Sequence, residues 1–397
     1  MAMAAGGDAG AAGATAESPG RPAFLELFFD LAYVFALITL VDTFAGNLTW
    51  TGLAGTLLLL FPFSLVWAIT TWAADLLGLS RPLVQVQFIA VAAASLLLAA
   101  AAPEAYGERA LLFAVTYLAI HLGSSSYYLL LDRSPSEPGR SGRILSWYAV
   151  LAGGWVAGAL IGGPAQLAIW GTAISVEYAG AWLGWPTPGL GRAHPRQWRL
   201  VGERVAERYR QFVIIALGAA IFITGTMFSL NEHTVDRAAA LLVVFTGLVL
   251  MWRVYIYRAG ELLTEAIARS THPSRLTQSA AVTHLIMVAG IIGVAVTAHL
   301  VVVRPLGPTP PSWAAVILGA PALFLVGRGL LDYTVFARVS RSRLVGLALL
   351  AALAPVATRL PPIGVTALAM TVLLLIAGAN LMSTRHHARV PTPPEAD

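Results

Sequence analysis

The 397-residue chain contains no cysteine and no lysine, and only 11% of its residues are charged. The missing cysteine excludes disulfides, thiolate metal sites and a cysteine nucleophile. Soluble domains carry about 25% charged residues, so this shortage, beside 57% hydrophobic residues, places the chain in lipid. The missing lysine leaves all 25 basic residues as arginine, a bias that fits GC-rich coding better than a mechanism. Catalytic signatures are also missing: there is no GxxxxGK[ST] loop, HExxH, GxSxG or CxxC. Polar stretches between the apolar runs are short and leave no room for a separate catalytic domain. These absences point away from an enzyme, and they offer no cofactor or metal site. Residues 1–20 lack the basic start and apolar run of a signal peptide and are expected to form a disordered tail.

What the chain does have is apolar length. A membrane-spanning helix needs about 20 mostly apolar residues. Twelve runs qualify: 23–42, 50–74, 83–102, 110–131, 144–162, 164–185, 209–230, 238–257, 278–303, 313–335, 342–359 and 362–382. A membrane β-barrel would show short alternating segments instead, so the expected fold is an all-α polytopic membrane protein. The longest linker, 186–208, is basic and divides the chain into a first half, 21–185, and a second, 209–382, of six helices each. A cytoplasmic tail, 383–397, follows. The second half opens with ERYRQFVIIALGAAIFITGT, which is similar to the opening of the first. Glu207, Tyr209 and Gln211 fall in register with Glu26, Phe28 and Asp30, as parallel repeats of a 6+6 duplication would place them.

Arginine placement fixes the expected sidedness. With the N-terminus in the cytoplasm, only Arg109, Arg237, Arg304 and Arg359 fall outside, so 25 − 4 leaves 21 inside. Loops rich in arginine stay cytoplasmic, so both termini are expected there. The formal charge of +5 is then topological, with anionic lipid at the cytoplasmic face as the neighbour and no nucleic acid as partner.

Charged groups inside apolar runs are the candidates for function, since each costs about 2.5–3.5 kcal/mol at mid-bilayer even on insertion scales. Glu26, Asp30, Tyr33 and Leu37 follow the i, i+4, i+7 spacing of one helix face. Two carboxylates on that face repel unless a proton, a cation or a neighbouring arginine lies between them. Asp30 is expected to be the proton or cation acceptor, with Glu177, in AISVEYAG, at a similar depth as its partner across a shared site, Arg210 as countercharge and His284 nearby. Two readings stay open: a proton- or cation-coupled site, or a structural ion pair of Asp30 or Glu26 with Arg208 or Arg210. Arg328 and Asp332, four apart, are expected to pair near the membrane interface. His121 and His299 stand alone in apolar runs and read as hydrogen-bonded core histidines.

Several segments together resemble one family. SPGRPAFLELFFDLAYVFALITL is similar to the opening of the bacterial low temperature requirement A (LtrA) proteins. TTWAADLL at 70–77, AAPEAYGERALLFAVTYLAI at 101–120, VEYAG at 176–180, GERVAERYRQFVIIALG at 202–218 and HLIMVAGII at 284–292 resemble later segments in the same order. The resemblance implies a multi-pass protein of the bacterial inner membrane, in a family named for a growth phenotype. It carries family positions onto Glu26 and Asp30, Glu177 and Tyr178, Glu207, Arg208 and Tyr209, and His284. Three departures stand out: Ala219 and Ala220 replace an expected Glu-Ser, His121 and Ser124 replace an expected Gln and Arg, and Tyr257 replaces an expected acid. The function expected is a secondary transporter or cation/proton-conducting protein with an intramembrane carboxylate site, its partners a proton, a cation or a small solute. The alternative is a non-transporting assembly or lipid-adaptation factor whose buried charges are structural.

Overall fold

The structure is a computed structural model that describes residues 20–131, 139–192, 202–257, 261–270 and 273–386. The expected N-terminal tail up to residue 19, the middle of the 186–208 linker and the tail beyond residue 386 lie outside the described residues. Thirteen α-helices are present among those described: α1 Gly20–Ala45, α2 Trp50–Leu77, α3 Pro82–Ala101, α4 Ala110–Leu131, α5 Arg140–Ile161, α6 Gly163–Leu183, α7 Gly202–Ser229, α8 Val235–Tyr255, α9 Glu261–Arg269, α10 Pro273–Val303, α11 Pro311–Phe336, α12 Arg341–Ala357 and α13 Pro362–His386. All twelve expected runs coincide with a helix. Ten of the thirteen are long and apolar enough to cross a membrane. Of the twelve runs, α6 and α12 fall outside that set; α12 has only 17 residues, and α6 carries Gln166 and Glu177.

Local chemistry sets the helix ends. Thr49 caps α2 by accepting from the Gly52 N–H at 3.0 Å, as an N-cap hydroxyl does. Proline opens α3, α11 and α13, where its missing N–H costs nothing. Between α5 and α6 the chain turns at Gly162 and Gly163, with φ of 71° and 60°, a backbone that only glycine adopts easily. Two elements differ from expectation. Helix α7 begins at Gly202, so Glu207 and Arg208 belong to a helix and not to the linker. The short α9 was not legible as a span; its nine residues, ELLTEAIAR, are amphipathic and bury Leu263, Ala266 and Ile267 against the bundle.

The core centres on α10, whose spanning segment is 78% buried. It packs between α7 and α11, and α1 lies against α3, α7 and α10, so the two halves share one core. Glycines permit the closest approach. A Cβ on Gly290 would stand 2.6 Å from the Phe324 backbone nitrogen, and one on Gly327 2.9 Å from that of Met287, the small-residue contact by which membrane helices adhere. The outer faces are apolar: Phe28, Leu31 and Leu130 are exposed. A bundle clothed in such side chains is covered by acyl chains, not water.

Candidate functional site

Asp30 sits one turn beyond Glu26 on α1 and is buried. Arg208, two turns into α7, meets it with a fork: one terminal nitrogen donates to Oδ2 at 3.1 Å and the other to Oδ1 at 3.0 Å. Trp67 of α2 donates its indole N–H to the same Oδ1 at 3.0 Å. The guanidinium also lies 5.4 Å from the Trp67 ring centroid, within cation–π range, reaches Glu26 at 3.6 Å and donates to Gln211 Oε1. Phe212 stacks on Trp67, with centroids 4.5 Å apart. One arginine therefore ties α1, α2 and α7 together. The countercharge is Arg208, not Arg210: Arg210 instead meets Glu207 at 2.8 Å, and both are partly exposed. Residues two apart on a helix point about 200° apart, so only one of the two could face Asp30.

Glu177 belongs to a different cluster. It is fully buried on α6, and its two oxygens accept from Trp155 Nε1 of α5 and the Tyr117 hydroxyl of α4, each at 2.6 Å. No basic side chain pairs with it among the described residues. Tyr117 packs on His121 and Tyr148, and His121 lies flat on the Tyr148 ring with centroids 4.0 Å apart. His121 Nε2 is buried and makes no hydrogen bond. The expected shared site therefore resolves into two: Asp30 and Glu177 have no hydrogen-bond partner in common. One indirect link runs through α2: Tyr178 donates to the Phe61 carbonyl at 2.9 Å, six residues before Trp67. His121 and Ser124, the departures from the family pattern, are also placed: Ser124 accepts from Gln87 at 2.8 Å.

His284 of α10 is buried with Nδ1 2.7 Å from the Ala280 carbonyl and Nε2 3.0 Å from the Tyr255 hydroxyl. A carbonyl only accepts, so Nδ1 carries a proton. Its ring stacks on Tyr209. Tyr33, expected on the acidic face, instead reaches Ser95 of α3 at 3.4 Å and serves helix packing.

A third polar group, in the second half, was legible only in part. Arg328 and Asp332 pair as the i, i+4 spacing predicts, and both are buried in the bundle. Arg328 also donates to the Val254 carbonyl at 3.0 Å and to that of Tyr257. Arg343 of α12, fully buried, lies 3.6 Å from Asp332 and donates to Asn380 of α13 at 3.2 Å. Its position near the start of an arginine-rich helix hid it, since such arginines usually snorkel to the surface.

Next to these clusters lies a cavity of about 140 Å³ between α2, α5, α6, α7 and α10. Trp67, Tyr178, Tyr209 and His284 form part of its wall, so it borders the Asp30–Arg208 pair and the residue after Glu177. None of its described lining residues is acidic.

Apolar outer faces, a membrane-length helical bundle and buried ion pairs define a multi-pass integral membrane protein. The family model described as "bacterial low temperature requirement A protein" matches residues 21–378. The chain belongs to that family. It is also 29% identical over 372 residues to an uncharacterized protein of Rhizobium meliloti (strain 1021), covering 93% of this chain and 91% of that one. No solved structure matches.

Proposed function

We propose that the protein is a proton-coupled or proton-conducting transporter of the bacterial inner membrane, with both termini in the cytoplasm and Glu177 as its proton acceptor. The observation that carries this reading is the contrast between the two buried acids. A carboxylate inside a membrane must be compensated. Arg208 compensates Asp30; Glu177 has only the neutral donors Tyr117 and Trp155 among the described residues. A proton or an entering cation is the remaining compensation. In this reading Asp30 and Arg208 are the fixed joint between the halves, and Glu26, Glu207, Arg210 and His284 lie around it.

The test is flux in proteoliposomes with pH- and potential-sensitive dyes under proton, sodium and potassium gradients. Wild type should give a gradient-dependent signal that Glu177→Gln abolishes. A silent wild type, folded and correctly inserted, would refute the reading. One observation favours the competing view of an assembly or lipid-adaptation factor with structural charges: the forked Asp30–Arg208 pair with its indole donor leaves neither Asp30 oxygen without a partner. Under that view Glu177→Gln changes stability and no flux exists to lose.

A further inference from the structure

The Glu177 cluster holds more polar groups than its hydrogen bonds use. Trp155 donates to Oε1 and Tyr117 to Oε2, each at 2.6 Å, but the two donors differ in kind. An indole N–H only donates, whereas a tyrosine hydroxyl donates or accepts. A proton arriving on Glu177 finds no acceptor in Trp155 and finds one in Tyr117. The 2.6 Å separation suits either direction, since O–H···O bonds run from about 2.5 to 3.0 Å. Once Tyr117 accepts, its own proton must turn to another oxygen. The buried hydroxyl of Tyr148 stands beside it and falls short of hydrogen-bond geometry in this structure. A buried hydroxyl left unpaired is costly, and the reversal supplies its partner. His121 holds the Tyr148 ring in place, stacked at 4.0 Å with the planes 5° apart. The other face of the cluster leads to the cavity, because Tyr148 also packs on Trp185 of the cavity wall, with centroids 5.9 Å apart. Helices α4 and α5 bring Tyr117, His121, Tyr148 and Trp155 to this cluster, and α2, also packed on α6, meets Tyr178 through Phe61. None of these groups carries a fixed charge.

We propose that Tyr117 and Tyr148 form a proton relay for Glu177: protonation turns the Tyr117 hydroxyl from donor to acceptor, and its own proton enters a hydrogen bond to Tyr148. In the onward step the O–H bond of Glu177 breaks as one forms on Tyr117, the original Tyr117 proton passes to Tyr148, and the Tyr148 proton passes to a water. Glu177 is left ionised and both tyrosines neutral. That onward step rests on the transporter reading; the reversal does not.

The reversal is read by infrared difference spectroscopy of the full chain in phosphatidylcholine liposomes, between high and low pH, with proton flux measured on the same preparations. Acidification should raise a protonated-carboxyl band and shift a tyrosine C–O band with it, the latter identified by ring-deuterated tyrosine. Glu177→Gln should remove both. Tyr117→Phe should keep the carboxyl band, lose the tyrosine shift and slow flux at least about tenfold, since a positioned proton-transfer group contributes about 10²–10⁴-fold. Tyr148→Phe, which keeps the stacked ring, should slow flux likewise. Tyr106→Phe, whose hydroxyl serves the Gly55 carbonyl at 2.7 Å, should change neither and controls for loss of a hydroxyl elsewhere in the bundle. A carboxyl band that titrates with no tyrosine shift overturns the relay and leaves Glu177 as the proton acceptor; so does Tyr117→Phe with wild-type flux. Both bands moving together in a protein silent to flux uphold the reversal and refute the transporter. If Glu177→Gln removes no band, both readings fail.

Discussion

Replacing Arg208 by methionine would leave the Asp30 carboxylate inside the bundle with one remaining donor, Trp67 at 3.0 Å. The side chain's removal deletes two hydrogen bonds to Asp30, at 3.1 and 3.0 Å, and the cation beside the Trp67 ring. Removing one partner of a buried pair costs about 3–5 kcal/mol, because the other charge stays buried. The reverse deletion, Asp30→Leu, should cost less, since Glu26 stands 3.6 Å from the guanidinium and takes over part of its charge. Removing both groups, as Asp30→Leu with Arg208→Met, should return stability to within about 1 kcal/mol of wild type, as apolar replacements of buried pairs often do. The assay is unfolding of the purified protein by sodium dodecyl sulfate in mixed micelles, followed by tryptophan emission, for all four proteins of the cycle. A coupling energy of about 3 kcal/mol or more is expected, the upper part of the range for groups in direct contact. The reasoning fails if Arg208→Met lies within about 0.5 kcal/mol of wild type, as a neutral surface change would. It also fails if the double variant loses the sum of the single losses.

Other perturbations separate packing from charge. Gly290→Ala drives a methyl group to 2.6 Å from the Phe324 backbone nitrogen; overpacking should cost about 1–3 kcal/mol and be read in the same unfolding assay, while Gly153→Ala, where no atom lies within 4 Å, should cost little. Asp332→Asn leaves Arg328 and Arg343 as two buried cations without their shared acid, and should lower stability by about 3 kcal/mol or more, with no recovery on adding salt, since buried charges are poorly screened. Because the chain has no cysteine, sidedness is read by single introduced thiols: Ser80→Cys should react with an impermeant maleimide only from the cytoplasmic side, Asn47→Cys only from outside, and the opposite pattern would invert the topology.

The helices were legible because twelve apolar runs of membrane length need no tertiary information to be recognised, and punctuation such as Gly162–Gly163 sits where the backbone needs it. The carboxylate face of α1 was legible for the same reason: Glu26 and Asp30 share it by periodicity, and their cost demanded a cation. Which arginine supplies it was not legible. The choice between Arg208 and Arg210 depends on where α7 begins, and its polar first turns, GERVAER, read as a linker. One signal was available: Arg208, Gln211 and Phe212 share a face at i, i+3 and i+4, while Arg210 lies on the other side. Trp67 was passed over as one aromatic residue in an apolar run, although a buried indole N–H requires an acceptor. The separation of Glu177 from Asp30 was beyond the sequence, because depth along a helix carries no information on which neighbours surround it.

The Asp30–Arg208 joint spans 178 residues of chain, and synthesis runs in one direction at about 5–20 residues per second. Asp30 therefore waits roughly 9–36 s at those rates for its arginine to be made. During that interval α1 has emerged with a carboxylate and no countercharge, so it must stay in the insertion machinery, lie at the lipid headgroups or enter the bilayer with a bound proton. In the first two cases release of the first helix into lipid is tied to arrival of the seventh. With a single thiol at Leu31→Cys on the outer face of α1, a chain stalled within the 186–208 linker should react with an aqueous maleimide if α1 waits outside the lipid, and one stalled beyond the emergence of α7 should not; protection at both stages would mean that α1 enters with its proton.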